Sequence, residues 1–182
     1  MFIYTKSQGS SPWRYANQRK KIMKKMDMTE VKEFITAQSP ETAVYLGCDS
    51  ERVKVNGVWY ADYALAVVVH IDSCHGCKIF GEVQRERDWD QRSDKPAMRL
   101  MNEVYKVSEL FQKMSDVLED RLVEVHLDIN PDQMHKSSVV VNQAIGYIKG
   151  TCNVIPMVKP RAFAASYAAD RLDWVLSNRK AA

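Results

Sequence analysis

"VEVHLDINPD", residues 123–132, opens as a strand and breaks off on an aspartate, with Asn130, Pro131 and Asp132 close behind. Val123, Val125 and Leu127 alternate with polar residues, the period of an extended chain. A bare carboxylate at the end of a buried strand is costly unless something positive meets it. Asp128 therefore either starts a turn or holds a metal or a substrate. The stretch also decides the fold class, because it is a strand that returns after a long helical segment.

Upstream lie three strand patterns. "TAVYLGCDSE" (42–51) is expected to end at Asp49; "VWYADYALAVVVHI" (58–71) and "KIFGEVQRE" (78–86) are β-branched and apolar. "KVNG" and "DSCHGC" between them carry turn chemistry, which predicts hairpin connections. "AMRLMNEVYKVSELFQKMSDVL" (97–118) has helical periodicity, with Asp94 and Pro96 suited to its cap and first turn.

Downstream, "MHKSSVVVNQAIGYIKG" (134–150) predicts a helix closed by Gly150, although its valines lower helix propensity. "TCNVIPMV" (151–158) predicts a short fifth strand. "KPRAFAASYAADRLDWVLSNR" (159–179) predicts a last helix with Pro160 in its first turn. The order βββαβαβα describes a mixed five-stranded α/β sheet flanked by helices.

Residues 1–40 are expected to form a basic N-terminal arm followed by a short helix, and residues 41–182 the main domain. Asp27 and Glu30 make a capping-box pattern ahead of "MTEVKEFITAQ". In the arm, Arg14, Arg19, Lys20, Lys21, Lys24 and Lys25 interleave with Trp13 and Tyr15. Such a segment either binds phosphates and stacks bases or is a solvated tail.

The 182 residues suit one domain, and 46% apolar with 27% charged residues is ordinary for a globular chain. No apolar run approaches the roughly 20 residues a membrane crossing needs. The opening lacks the basic-then-apolar order of a secretory signal, so a cytoplasmic location is expected. Four scattered cysteines (Cys48, Cys74, Cys77 and Cys152) fit reduced thiols better than a disulfide scaffold. "HIDSCHGC" (70–77) gathers two cysteines and two histidines, but one C-x-x-C at a hairpin tip fits an ordinary reduced turn better than a zinc site.

Four carboxylates stand where apolar residues are expected. At about 100° per residue, Glu103 falls within the apolar stripe of Leu100, Val104, Val107, Phe111, Met114 and Leu118. It is either paired, bound to a cation, or reaching from the stripe edge to solvent. Asp170 shares a helical face with Phe163, Tyr167 and Trp174, where a tyrosine hydroxyl or backbone amide is the alternative partner. Asp49 and Asp128 end strands, where turn initiation is the ordinary role. Together, adjacent strands can bring Asp49 and Asp128 into contact, and helices can deliver Glu103 and Asp170. Four carboxylates without a cation repel, and oxygen ligands favour Mg²⁺ or Mn²⁺. Two such ions promote phosphodiester hydrolysis.

Around the four, His135 and Lys136 either contact a phosphate or assist proton transfer, or lie at the surface. Lys159 can meet a phosphate near a helix N-terminus. Ser50 either bonds a ligand or serves as a turn residue. Asp132 in "NPD" fits a turn or N-cap.

"GCDS", "RLMNEV", "HLDIN" and "KPRAFAASYAADR", in that order, resemble the ribonuclease H-like proteins of the YkuK type, found in bacteria and phages. The resemblance covers roughly residues 42–175. It implies a ribonuclease H-like fold and metal-dependent cleavage of RNA, DNA or a hybrid, with acidic ligands matching Asp49, Glu103, Asp128 and Asp170. The pattern commonly has threonine before the first aspartate and glutamine after the serine, where this chain has Cys48 and Glu51. A nucleic-acid-binding or partner-docking scaffold without turnover is the competing reading.

Overall fold

The computed structural model describes residues 26–90, 96–132, 134, 138 and 140–164. In chain order these form α1 (Met28–Thr36), β1 (Ala43–Val55), β2 (Val58–His70), β3 (Cys77–Arg87), α2 (Ala97–Leu118), β4 (Val123–Leu127), α3 (Val141–Cys152) and β5 (Met157–Val158). Helical residues begin again at 163–164. The five strands form one sheet in the order β3-β2-β1-β4-β5. β1, β2 and β3 are an antiparallel meander, while β4 joins β1 and β5 joins β4 in parallel. The expected α/β architecture is the one observed.

Local chemistry accounts for most boundaries. The Asp27 carboxylate caps α1 by accepting from the Thr29 and Glu30 amides. Asn56 and Gly57 take φ of 49° and 85°, so the β1–β2 hairpin closes on two left-handed residues. α3 does not close at Gly150. It runs on to Cys152 and stops at Asn153, whose left-handed φ of 57° ends the helix.

Two other boundaries differ from expectation. β1 does not stop at Asp49: Asp49 pairs with Ala64 and Ser50 with Tyr63, and the ladder continues to Val55↔Val58. The apolar partner strand and the tight Asn-Gly turn hold β1 extended through residues that are poor strand formers. Ser50 is thus a strand residue rather than a turn residue. At α2, Pro96 occupies the cap position without a side-chain bond, and Asp90 accepts from the Met98 and Arg99 amides. Asp94 lies outside the described residues.

One face of the sheet carries the main core. Val44, Leu46 and Cys48 of β1 and Tyr63, Leu65 and Val67 of β2 meet Leu100, Val104 and Val107 of α2. Val31 and Ile35 of α1 and Ala144 and Ile148 of α3 join the same cluster. The opposite face buries Ala66 and Val68 against Ala164. No helix among the described residues is long and apolar enough to cross a membrane.

Candidate acidic site at the end of the parallel strands

The β1–β4 ladder ends at Cys48↔Leu127. Asp49 and Asp128 are the next residue on each strand, so parallel pairing brings the two aspartates to matching positions. β1 continues past this point only because β2 still pairs with it, while β4 stops. Asp128 therefore sits at an open strand end, and Asp49 lies within a strand beside that opening.

Glu103 reaches the same region from α2. It is buried, at 3% exposure, which excludes the solvent-reaching alternative. Its carboxylate accepts from the Ser50 hydroxyl, and Arg99, one turn earlier, lies 3.6 Å away. Arg99 also donates to the Ser50 carbonyl at 2.7 Å. Ser50 thus ties the acid-bearing strand to the acid-bearing helix, and its own amide donates to Asp49 Oδ1 at 2.7 Å.

Lys159 completes the described set. It follows β5, where its amide donates to the Ile129 carbonyl at 3.1 Å. That bond sets the side chain beside the end of β4, with Nζ 2.7 Å from Asp128 Oδ1.

The electrostatics follow from this placement. Burial, then repulsion from Asp128, pushes Asp49 up to about 6, against opposition from the Ser50 amide, Lys159 and Arg99. Burial and repulsion from Asp49 raise Glu103 well above the ordinary carboxylate range, despite Ser50 and Arg99. The Cys48 thiol, buried beside both acids, is pushed up as well and stays protonated. The donors present are all oxygen, negative and mutually repulsive, which suits a hard divalent cation. Even so, no three Asp, Glu, His or Cys side chains among the described residues are grouped to hold a metal. Three of the oxygens are engaged, those of Asp49 and Glu103 by Ser50 and that of Asp128 by Lys159.

Of the residues singled out in the sequence, Asp49, Glu103, Asp128, Ser50 and Lys159 come together. Asp170, His135 and Lys136 lie outside the described residues. Asp132 accepts from the Met134 amide at 3.0 Å, the local bond expected of its turn. In the β2–β3 turn, Cys74 and Cys77 are exposed free thiols, and the His75 ring lies 3.1 Å from Asp72.

Two residues went unread in the sequence. Arg99 stands one turn before Glu103, a spacing that signals an ion pair on a helix. His126 is fully buried; its Nδ1 accepts from the Ala164 amide at 3.0 Å and its Nε2 lies 2.9 Å from Glu124. It fastens the start of the last helical segment to β4, two residues before Asp128. It shares the polar alternation of β4 with Glu124, so nothing in the sequence set it apart as buried.

A family model described as Ribonuclease H-like matches residues 26–173, most of the chain. The comparisons with curated proteins and with solved structures returned no match.

Proposed function

The chain belongs to the ribonuclease H-like family, and from that premise we propose that it is a divalent-metal-dependent nuclease hydrolysing phosphodiester bonds. The observation that carries this reading is the level placement of Asp49 and Asp128 at one sheet end, where repulsion from Asp128 and burial push Asp49 up to about 6 and both aspartates raise the buried Glu103. Such a cluster is destabilising to the protein that keeps it, and the destabilisation is relieved by bound positive charge. The sequence blocks that resemble the YkuK type support that placement within the family.

In this reading Asp49 and Asp128 are the core ligands, with Glu103 and Asp170 completing sites for two Mg²⁺ or Mn²⁺ ions. Such ions, when bound, would activate a water and stabilise the leaving oxygen. The Ser50 amide holds the Asp49 carboxylate in orientation. The Ser50 hydroxyl and Arg99 hold Glu103, so these two are positioning residues. Lys159, 2.7 Å from Asp128, is placed to exchange that carboxylate for a substrate phosphate. His135 and Lys136 are further substrate contacts, and RNA, DNA or a hybrid is the substrate.

Purified protein is expected to cut at least one of single-stranded RNA, single-stranded DNA, either duplex or a hybrid, with Mg²⁺ or Mn²⁺ and not with chelator. Asp49→Asn and Asp128→Asn are each expected to abolish cutting while leaving the circular dichroism spectrum intact. Metal-dependent cutting that survives both substitutions refutes the assignment.

A second reading, a nucleic-acid-binding module without turnover, draws on the Lys159–Asp128 and Arg99–Glu103 pairings. They let part of the acid cluster be balanced by the chain's own cations. Salt-sensitive binding with no cutting under either metal would favour it.

A further inference from the structure

Parallel pairing sets a third residue level with the two aspartates. The β4–β5 ladder ends at Leu127↔Val158, as the β1–β4 ladder ends at Cys48↔Leu127. The next residues, Asp49, Asp128 and Lys159, therefore form one row across β1, β4 and β5, two carboxylates and then an ammonium. Neighbouring strands lie about 5 Å apart, and Lys159 meets Asp128 directly, at 2.7 Å from Nζ to Oδ1. Its charge also opposes the upward shift at Asp49. One ammonium thus eases both aspartates of the acidic site.

Arg99 and Lys159 are both cations of this site, and they are held differently. The Arg99 side chain is 18% exposed, and its guanidinium is fixed by the Ser50 carbonyl at 2.7 Å while lying 3.6 Å from the buried Glu103. Lys159 is anchored through its backbone, where its amide donates to the Ile129 carbonyl. Its side chain is 42% exposed, against 17% for Asp128. The carboxylate is covered and stays, whereas the ammonium ends a flexible stem open to solvent and is free to swing. A partly exposed ion pair of this kind is weak. A divalent cation competes with the ammonium for the same carboxylate, and the two positive charges repel. A phosphate does the reverse, drawing the ammonium off Asp128 through a charge-assisted hydrogen bond. Each ligand removes what hinders the other, so their binding is reciprocally favourable.

We propose that Lys159 is a placeholder cation on Asp128, which yields that carboxylate to a divalent metal when a nucleic-acid phosphate takes its ammonium, so that metal and nucleic acid bind the site cooperatively. This rests on the metal-dependent function proposed above, and deepens it by naming how the site is regulated. The exchange is non-covalent and consumes no reagent.

The test is calorimetric titration of the full-length chain with Mn²⁺, first alone and then with a phosphorothioate oligonucleotide of about 12 nucleotides, single-stranded or duplex, whose linkages resist hydrolysis. Without the oligonucleotide, Lys159→Met is expected to bind Mn²⁺ roughly two- to fivefold more tightly than wild type, because the competitor is gone. Lys159→Arg, which keeps the charge, should bind as wild type does. So should Arg161→Gln, which removes an exposed cation two residues along. With the oligonucleotide, wild-type affinity for Mn²⁺ should rise about fivefold or more, and the rise should shrink in Lys159→Met. Equal Mn²⁺ affinity in wild type and Lys159→Met would overturn the proposal. An equal gain in Arg161→Gln would do the same, by reducing the effect to net charge. So would an oligonucleotide effect that is absent from wild type with both forms, or undiminished in Lys159→Met. Mn²⁺ bound equally by wild type and Lys159→Met keeps the metal reading and removes the placeholder, whereas no Mn²⁺ bound by either removes the metal reading itself.

Discussion

The acidic sheet end and the β2–β3 turn both gather carboxylates with hydrogen-bonding neighbours, yet their electrostatics run in opposite directions. In the turn, Asp72 is solvent-exposed, accepts from the Ser39 hydroxyl and faces His75, and those donors lower its pKa. At the sheet end, Asp49 and Glu103 have donors too, but burial and mutual repulsion outweigh them. Asp72 is therefore satisfied as it stands. The sheet end holds charge that its own partners only partly balance. Burial, rather than the number of acids, separates a candidate site from a decorated turn.

The largest test of that contrast is activity. Asp49→Asn or Asp128→Asn should lower cleavage at least about a hundredfold, the scale of losing a principal electrostatic contact at the reacting phosphate. Asp72→Asn should leave the rate unchanged in the same assay, and a comparable loss there would erase the distinction between the two regions.

Next in size is cation binding. At a hundredfold excess over its dissociation constant, Mn²⁺ should stabilise the wild-type fold by about 2.7 kcal/mol, read as a rise in melting temperature. Asp49→Asn should abolish that rise. A rise that persists in this variant would locate the ion elsewhere.

Smaller again is the pH dependence without metal. Asp49 has a folded-state pKa raised from 3.8 to about 6, so the folded state binds the proton more tightly than the unfolded state. Its contribution is most favourable below pH 3.8 and is lost as pH rises through about 6. Asp49→Asn should then stabilise the metal-free chain at pH 7.5 by about 1–2 kcal/mol, allowing for partial solvent screening. The gain should vanish near pH 4. Denaturant titrations at both pH values measure it, and a variant less stable than wild type at pH 7.5 would contradict the repulsion argument.

The smallest effect belongs to the turn and has the opposite sign. Asp72 is lowered from 3.8, so its stabilisation is present above that pH and lost as pH falls through the depressed value. Asp72→Asn should slightly lower the melting temperature at pH 7 and have no effect at strongly acid pH. A gain at pH 7 would mean that its bonds to Ser39 and His75 do not hold in solution.

Legibility in the sequence tracked how local each determinant is. The apolar, β-branched run "VWYADYALAVVVHI" and the Asn-Gly pair marked β2 and its hairpin, since both depend on neighbours a few residues apart. The stripe around Glu103 left open whether its carboxylate is held inside or reaches solvent, and the packing of α2 against the sheet decided for burial. The end of β1 was misread because Asp49, Ser50 and Glu51 look like a turn by themselves. Only pairing with β2 keeps them extended. The α2 cap came from Asp90, several residues upstream, instead of from the adjacent Pro96.

Residue type and periodicity alone determined the elements, their order and which acids stood out of pattern, because these follow from steric preference and the spacing of apolar side chains. Tertiary structure decided the rest. The parallel alignment of β1 with β4 set Asp49 level with Asp128, the packing of α2 brought Glu103 to Ser50, and the bond from Lys159 to Ile129 put an ammonium beside Asp128. Those contacts join residues far apart in the chain, and their electrostatic consequences depend on burial, which exists only once the sheet and its helices have closed on one another.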